Sequence, residues 1–187
     1  GSIVHLNKAL ASLRYKGDSN WYGDVRVVFS ANDYGFSGAG GVMMTEKSFE
    51  VNVISVNDAP VISMPSQTLS AQEDTDYSLA WLKISDVDAG GQLIQVTISA
   101  KNGLVSTGKT SPSTEDSLVN LTGSLDDINT TLNTLLFRSK LDWNGIDYLT
   151  VTVNDNGYSG IGGPMIVDHV FPIQVTAIND VPVIKLI

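Results

Sequence analysis

The chain contains an internal repeat with a period of 122 residues. Asn57 and Asn179 stand 122 positions apart, and each opens an Asn-Asp-x-Pro segment followed by two β-branched residues. At that shift the two ends of the sequence align without a gap. The aligned pairs include Leu10 and Leu132, Trp21 and Trp143, Gly23 and Gly145, Asp33 and Asp155, Gly35 and Gly157, Phe49 and Phe171, and Pro60 and Pro182. Such a period is longer than those of solenoids and about the size of one β-sandwich domain.

This repeat predicts the domain organisation. Residues 58–187 hold one complete unit that runs into the next linker motif, whereas residues 1–57 match only the second, C-terminal half of a unit. A half-sandwich would leave an apolar face in water. We therefore expect either that the chain is cut inside a repeat or that the N-terminal segment completes its sheet elsewhere, for example by swapping.

Composition excludes several classes of function. The formal net charge of −9 excludes a basic surface for nucleic acid or for anionic membranes. The absence of cysteine excludes a disulfide framework and a thiol site. No apolar run approaches the roughly 18 residues that a membrane span requires, so we expect no membrane insertion of this stretch.

Alternating apolar and polar residues predict β-strands in several bounded runs. The runs are "DVRVVFSAN" and its copy "DYLTVTVND", "SFEVNVISV" and its copy "VFPIQVTAI", and "QLIQVTISA" between them. We expect one face of each strand to be buried. The inward residues are predicted to be Val25, Val27, Phe29, Ala31, Phe49, Val51, Val53, Ile94, Val96, Ile98, Ala100, Leu149, Val151, Val153, Phe171, Ile173 and Val175.

One segment of each copy has helical rather than strand periodicity. In "SLDDINTTLNTLL" the pair Ser124 and Asp127 is typical of a helix cap, and Leu125, Ile128, Leu132 and Leu135 recur at helical spacing. Its earlier copy is "SIVHLNKALASL". The sequence therefore predicts an all-β fold, an immunoglobulin-like Greek-key sandwich with one short helical insertion per repeat.

Acidic and amide side chains collect where predicted strands end. Asp86 and Asp88 are two residues apart after a strand pattern, so both carboxylates can point the same way. Asn57 and Asp58 precede the complete unit, and Asp155 follows another strand. Two carboxylates about 4 Å apart repel by roughly 1 kcal/mol in water and about 4 kcal/mol at an effective dielectric near 20. Convergence of these groups would require a cation, and oxygen ligands without His or Cys favour Ca²⁺.

The same motifs also have plain structural interpretations. "NDAP" and "NDVP" can be Asx turns before a proline, and "DVD" can be a solvated strand end. The glycine-rich "GFSGAGG" and "GYSGIGG" lack the lysine and the helix of a phosphate-binding loop, so we interpret them as turns. Trp21 and Trp143 are expected to be packing residues.

The motifs together resemble a known family. "VNDAP" resembles the inter-domain linker of cadherins and of bacterial cadherin-like adhesin repeats, "DVD" resembles their Asp-x-Asp motif, and "VNDNGYSGIGG" resembles their Asp-x-Gly turn. Their order along the chain agrees with that of the family. The resemblance implies a cadherin-like fold, an extracellular or cell-surface location, and Ca²⁺ between successive repeats.

The resemblance also implies the ligands of the cation. Asn57 and Asp58 would be linker ligands, and Asp86, Asp88 and Asp155 would come from the following domain. At the next junction, Glu73 would face Asp180 and Asn179, and Asp142 would match the family's Leu-Asp-Arg-Glu motif. That motif reads "LDWNG" here and lacks its glutamate. We therefore expect one or two ions at a junction rather than three.

The function implied is mechanical, a calcium-rigidified spacer repeat of an extracellular adhesion protein. Its partners would be neighbouring repeats of the same chain, with weak homotypic contact or a cell-surface glycan as the adhesion partner. An alternative is a carbohydrate- or protein-binding module with exposed aromatic rings, for which Trp21, Trp143, Tyr148 and Tyr158 are candidates. A third is an accessory sandwich of a secreted hydrolase. We expect no enzyme here, since neither His5 nor His169 recurs in the repeat, although a Ser-His-Asp triad depends on geometry rather than spacing.

Overall fold

The computed structural model describes residues 2–36, 38–63, 65–108, 117–182 and 184. The chain divides into two compact units, Gly1–Ser55 and Val56–Ile187. We call them unit 1 and unit 2.

Unit 1 consists of a helix and a β-hairpin. Helix α1 (Ile3–Leu10) begins at Ser2, whose hydroxyl accepts a hydrogen bond from the backbone N–H of His5. Strands β1 (Gly23–Asn32) and β2 (Met44–Val53) pair antiparallel over their whole length. No residue of α1 is buried.

Unit 2 contains, in its described part, ten further strands and one helix. The strands are β3 (Val61–Ile62), β4 (Leu69–Gln72), β5 (Tyr77–Ser78), β6 (Ile84–Ser85), β7 (Ile94–Ala100), β8 (Gly103–Ser106), β9 (Leu118–Gly123), β10 (Leu136–Ser139), β11 (Gly145–Asn154) and β12 (Ile166–Thr176). A five-stranded sheet has the order β4-β12-β11-β7-β9, a three-stranded sheet has the order β5-β10-β8, and β3 pairs with β6. The predicted all-β class is confirmed.

The strands of the five-stranded sheet bury one face. Every second residue is buried from Asp147 to Val153 in β11 and from Phe171 to Val175 in β12, because side chains of a strand point alternately to the two faces of its sheet. The inward residues predicted for unit 2 are all buried: Ile94, Val96, Ile98, Ala100, Leu149, Val151, Val153, Phe171, Ile173 and Val175. Trp81 packs edge-on against Phe171, with ring centroids 5.1 Å apart.

Helix α2 (Leu125–Leu132) interrupts the strands as predicted. Its N-cap Ser124 accepts a hydrogen bond from the backbone N–H of Asp127 and donates one to the Asp127 carboxylate at 2.7 Å. Ile128 and Leu132 are buried against the sheets. The helix ends at Leu132, and Leu135 reaches the same core from the segment that follows.

The internal repeat is preserved in atomic detail at one turn. The Oδ1 atom of Asp155 accepts from the N–H groups of Gly157 and Met165 at 2.9 and 2.7 Å. In unit 1 the Oδ1 atom of Asp33 accepts from the corresponding N–H groups of Gly35 and Met43 at 2.9 and 2.8 Å. The Asn-Asp-x-Gly motif therefore builds the same Asx turn in both copies.

Candidate cation sites

Five of the predicted site residues come together beyond the C-terminal end of β11. We call Asn57, Asp58, Asp86, Asp88 and Asp155 the Asp86 cluster. They come from three stretches of chain: the segment before β3, the turn after β6 and the turn after β11. Hydrogen bonds join the three stretches, but among the described residues no three acidic side chains of this cluster place oxygens within 4.8 Å of one another.

Asn57 fastens the linker segment to the turn after β11. Its side-chain amide donates to Asp155 Oδ2 at 2.6 Å and to the carbonyl of Gly163 at 3.2 Å, while its Oδ1 accepts from the hydroxyl of Ser159 at 3.2 Å. Its backbone N–H donates to the carbonyl of Ile161 at 2.8 Å. Asn57 is 2% exposed and Asp155 is 5% exposed, so this contact is enclosed.

Asp86 and Asp88 hold the same segment from its other side. The Asp88 carboxylate accepts from the backbone N–H of Asp58 at 2.9 Å. Asp86 Oδ1 accepts from the N–H groups of Asp88 and Ala89, both at 3.1 Å, which makes an Asx turn that turns both carboxylates toward one another. Asp86 Oδ2 and Asp88 Oδ1 are buried without a hydrogen-bond partner among the described residues. Two orphaned carboxylate oxygens fit a shared cation or a shared proton.

The electrostatics of this pair agree with its geometry. Burial, followed by the hydrogen bond and the negative charge of Asp88, raises the pKa of Asp86 to about 6. Burial also disfavours the charged form of Asp88, but hydrogen bonds from Asp86, the Asp58 N–H and Ser159 outweigh it and lower the pKa of Asp88. Without a cation, the pair therefore holds one proton between its two carboxylates when the pH is below about 6.

A second acidic group lies at the other end of β11. Carboxylate oxygens of Asp74, Asp142 and Asp180 lie within 4.8 Å of one another, and we call these residues the Asp142 cluster. Asp142 precedes β11 by three residues, whereas Asp155 directly follows it. A strand of ten residues spans roughly 30 Å, so the two clusters lie about that far apart.

Glu73 supports this second cluster from within the protein. It is 2% exposed; its Oε1 accepts from the backbone N–H of Ile178 at 2.7 Å and its Oε2 from the side-chain amide of Asn144 at 3.2 Å. Although Asp180 is exposed, desolvation and then the negative charges of Asp142, Glu73 and Asp74 raise the pKa of its carboxyl. Glu73 thus fixes the segment that carries Asp180, as the prediction that it faces the next junction requires.

Asp74 is the residue of this cluster that the sequence interpretation missed. It directly follows Glu73, and its backbone has a φ of 59°, in the left-handed region. Its Oδ1 accepts from the N–H of Asp142 at 3.3 Å, and its carbonyl accepts from the Arg138 guanidinium. The acid next to Glu73 in "QEDTDY" was the available sequence signal for this residue. That Asp74 turns toward Asp142 is evident only from the fold, in which Arg138 on β10 donates a hydrogen bond to the Asp74 carbonyl.

Among the described residues, Trp143 and both histidines make structural contacts. Trp143 packs against the core, whereas Trp21 of unit 1 is 42% exposed, contrary to the expectation of a packing residue. His5 contacts the Ser2 hydroxyl at 2.8 Å at the exposed start of α1, and the His169 ring lies against Phe171. Both histidines thus have structural contacts.

Comparisons with known proteins do not identify the chain. No protein-family model matches it, and no curated protein sequence matches it. Among the helices that the described residues form, none is long and apolar enough to cross a membrane.

Proposed function

We propose that unit 2 is a calcium-stiffened spacer repeat of an extracellular adhesion protein, with a cadherin-like Greek-key sandwich fold and no catalytic activity. One observation carries this proposal: a single strand, β11, has an acidic cluster at each end, and each cluster includes an Asn-Asp segment of the 122-residue repeat. A repeat of this kind can bind a cation where one module ends and the next begins.

The ligand chemistry favours Ca²⁺ over other divalent metals. Both clusters offer only carboxylate, amide and backbone oxygens, which are the ligands of hard cations. Oxygens bound to one Ca²⁺ at 2.3–2.6 Å lie at most about 5 Å apart. The Asp142 cluster, with ligand atoms within 4.8 Å, meets that limit before any side chain moves.

Cation binding would stiffen the chain by fixing segments that have few other contacts. Residues 177–182, which carry Asp180, form no helix or strand. A cation held by Asp74 and Asp142 would tie that segment to the body of unit 2. At dissociation constants of about 10⁻⁴ to 10⁻³ M, 1 mM calcium contributes roughly 0.4 to 1.4 kcal/mol per site, enough to bias a hinge.

Calorimetric titration of the full chain with calcium tests the proposal. We expect binding in the range of about 10⁻⁴ to 10⁻³ M, with Asp88→Asn and Asp142→Asn each removing part of the heat and the double variant removing all of it. Asp126→Asn, on the exposed side of α2, is the matched control and should leave the titration unchanged. A double variant that binds calcium like the native chain would refute the assignment of both clusters.

A test of stiffening requires a chain with two whole repeats. Small-angle scattering with calcium should give a longer maximum dimension than scattering with a chelator. Identical profiles in the two conditions would show that calcium does not stiffen the chain.

In unit 2 the alternative of a glycan-binding module rests on Tyr148 and Tyr158, which are 45% and 62% exposed. Of the other two candidate rings, Trp143 packs against the core, and Trp21, which is 42% exposed, belongs to unit 1. Tyr148 lies on the outer face of β11, whereas Tyr158 lies in the turn beyond that strand. Six residues of strand, roughly 20 Å, separate Tyr148 from the end of β11, so the two rings do not form one platform. We therefore prefer the spacer function, and a glycan array with the native chain and Tyr148→Ala tests the alternative.

A further inference from the structure

Equivalent residues of the two repeat copies have opposite exposure. Leu10 of α1 is 52% exposed, whereas its counterpart Leu132 of α2 is fully buried. Phe49 of β2 is 51% exposed, whereas its counterpart Phe171 is 2% exposed. Unit 1 thus keeps the apolar residues of a core that its own described residues do not enclose.

The edges of the hairpin show the same difference. In unit 2, β11 pairs antiparallel with β7 and β12 pairs parallel with β4, so the hairpin lies inside a five-stranded sheet. In unit 1, β1 and β2 form a two-stranded sheet among the described residues. Open strand edges next to an apolar face are the usual receptor for an added strand.

We propose that unit 1 is an interaction surface for the first half of another 122-residue repeat, a segment with the strand pattern of residues 58–122. Its β7-like strand would pair antiparallel with β1, and its β4-like strand would pair parallel with β2. The register follows from unit 2 by the shift of 122. The strand pairs would place Val27 opposite the equivalent of Ala100, Ser30 opposite that of Thr97, and Val51 opposite that of Leu69.

A polar contact specifies the same partner. In unit 2 the side chain of Asn129 on α2 accepts from the N–H of Ile84 at 2.9 Å and donates to the Ile84 carbonyl at 2.8 Å. This pair fastens α2 to β6. Asn7 occupies the equivalent position on α1. Unit 1 therefore carries both the apolar face and the amide that recognise a first half-repeat.

A second whole copy of this chain does not supply the partner. Each copy has two such hairpins, β1–β2 and β11–β12, but only one first half, residues 58–122, which β11–β12 already covers. If the first half of one copy moved to the hairpin of another copy, it would leave its own hairpin uncovered. Exchange between two copies therefore gives no net gain in covered hairpins. The occupant must therefore be a first half-repeat that no other hairpin covers.

The test adds that partner to the full chain. A second copy of residues 58–122 is fused directly before Gly1, which keeps the register because Gly1 aligns with Gly123. Backbone amides of β1 and β2 should then exchange with solvent at least tenfold more slowly than in the native chain, with or without a chelator. The same fusion with Ile98→Asp in the added copy should lose this protection. Unchanged exchange in the first fusion, or equal protection in both, would overturn the proposal.

Two further measurements separate this partner from others. In the fusion, Asn7→Ala should reduce the new protection about tenfold, since it leaves two buried backbone groups unpaired, whereas in the native chain it should change nothing. Light scattering of the native chain should give a monomer. A dimer whose β1 and β2 amides are already protected would overturn the proposal in favour of self-association.

Discussion

At the scale of single residues, Asp155 holds two segments of unit 2 together. One carboxylate oxygen closes the turn after β11 by accepting two backbone N–H groups, and the other accepts the amide of Asn57. Asp155 is only 5% exposed, so these hydrogen bonds are largely shielded from solvent. The linker segment is therefore attached to unit 2 before any cation binds.

Replacement of Asp155 by alanine should destabilise unit 2 even without calcium. It leaves the N–H groups of Gly157 and Met165 and the Asn57 amide without their acceptor, at a cost of roughly 2–4 kcal/mol. Urea unfolding in a chelator measures this change. Asp33→Ala removes the equivalent acceptor from unit 1 and is the matched control. We expect it to leave the unfolding of unit 2 unchanged, and equal losses for the two variants would contradict this interpretation.

The pair Asp86 and Asp88 predicts an unusual pH dependence in the absence of cations. The pKa of Asp86 is raised from 3.8 to about 6, so the folded chain binds its proton more tightly than the unfolded chain does. Between those values the folded state holds more protons, and the free energy of unfolding should fall as the pH rises from about 4 to 6. Asp88, with a lowered pKa, contributes stability that is lost only as the pH falls below 3.8 through its folded value.

Urea unfolding at several pH values in a chelator measures that dependence. Asp86→Asn should flatten it, because the amide replaces the protonated carboxyl and can donate to Asp88 at every pH. Saturating calcium should flatten it as well. If the native chain becomes more stable from pH 4 to 6 while Asp86→Asn does not, the shared proton is excluded.

The sequence predicted the Asp86 cluster better than the Asp142 cluster, for a physical reason. Asp86 and Asp88 lie in one tight turn, and Asp155 lies in a turn whose geometry Asn-Asp-x-Gly specifies locally. Asp74 and Asp142 come together only because β5 pairs with β10 and because the Arg138 guanidinium donates a hydrogen bond to the Asp74 carbonyl. Contacts of that kind depend on the whole fold.

At the scale of elements, the turns after β1 and β11 differ in how tightly they are enclosed. Gly157 has a φ of 64°, a conformation that favours glycine, and a Cβ there would collide with the backbone of Gly163 and Pro164. Gly35 has the same φ of 64°, but its Cβ would lie 3.0 Å or more from the nearest backbone atom. The same motif is thus packed more closely in unit 2.

Gly157→Ala should therefore lower the free energy of unfolding of unit 2 by more than the 1 kcal/mol or so that a left-handed alanine costs. The additional loss comes from the displaced loop, which also carries the Gly163 carbonyl that binds Asn57. Thermal unfolding followed by circular dichroism measures it. Gly35→Ala serves as control and should not shift the unit 2 transition; an equal shift would mean that the enclosure of Gly157 has no energetic effect.

The long strands and the helices were predictable from sequence, whereas the short strands were not. β7 and β11 alternate apolar and polar residues over seven residues, and β12 does so over its last four, a signal that one buried face produces. β8 is buried at all four positions and so shows no alternation, and β3 and β6 have two residues each. These short strands exist because longer elements hold them in place.

At the scale of the whole molecule, net charge and architecture act together. The chain carries a net charge of −9, and unit 2 concentrates carboxylates at both ends of β11. Repulsion within each cluster opposes folding when no cation is present. Two calcium ions bound at the proposed sites would offset this repulsion and so stabilise unit 2.

Calcium at about 1 mM should raise the melting temperature of unit 2 by several degrees. Two sites at roughly 0.4–1.4 kcal/mol each add about 1–3 kcal/mol by mass action, and 1 kcal/mol corresponds to about 3–5 °C for a domain of this size. Differential scanning calorimetry at constant ionic strength separates this effect from screening, because sodium chloride weakens repulsion without occupying the sites. The Asp88→Asn/Asp142→Asn variant should respond equally to calcium and to sodium chloride. If the native chain also responds equally to both, charge screening alone accounts for the stabilisation and neither cluster is a calcium site.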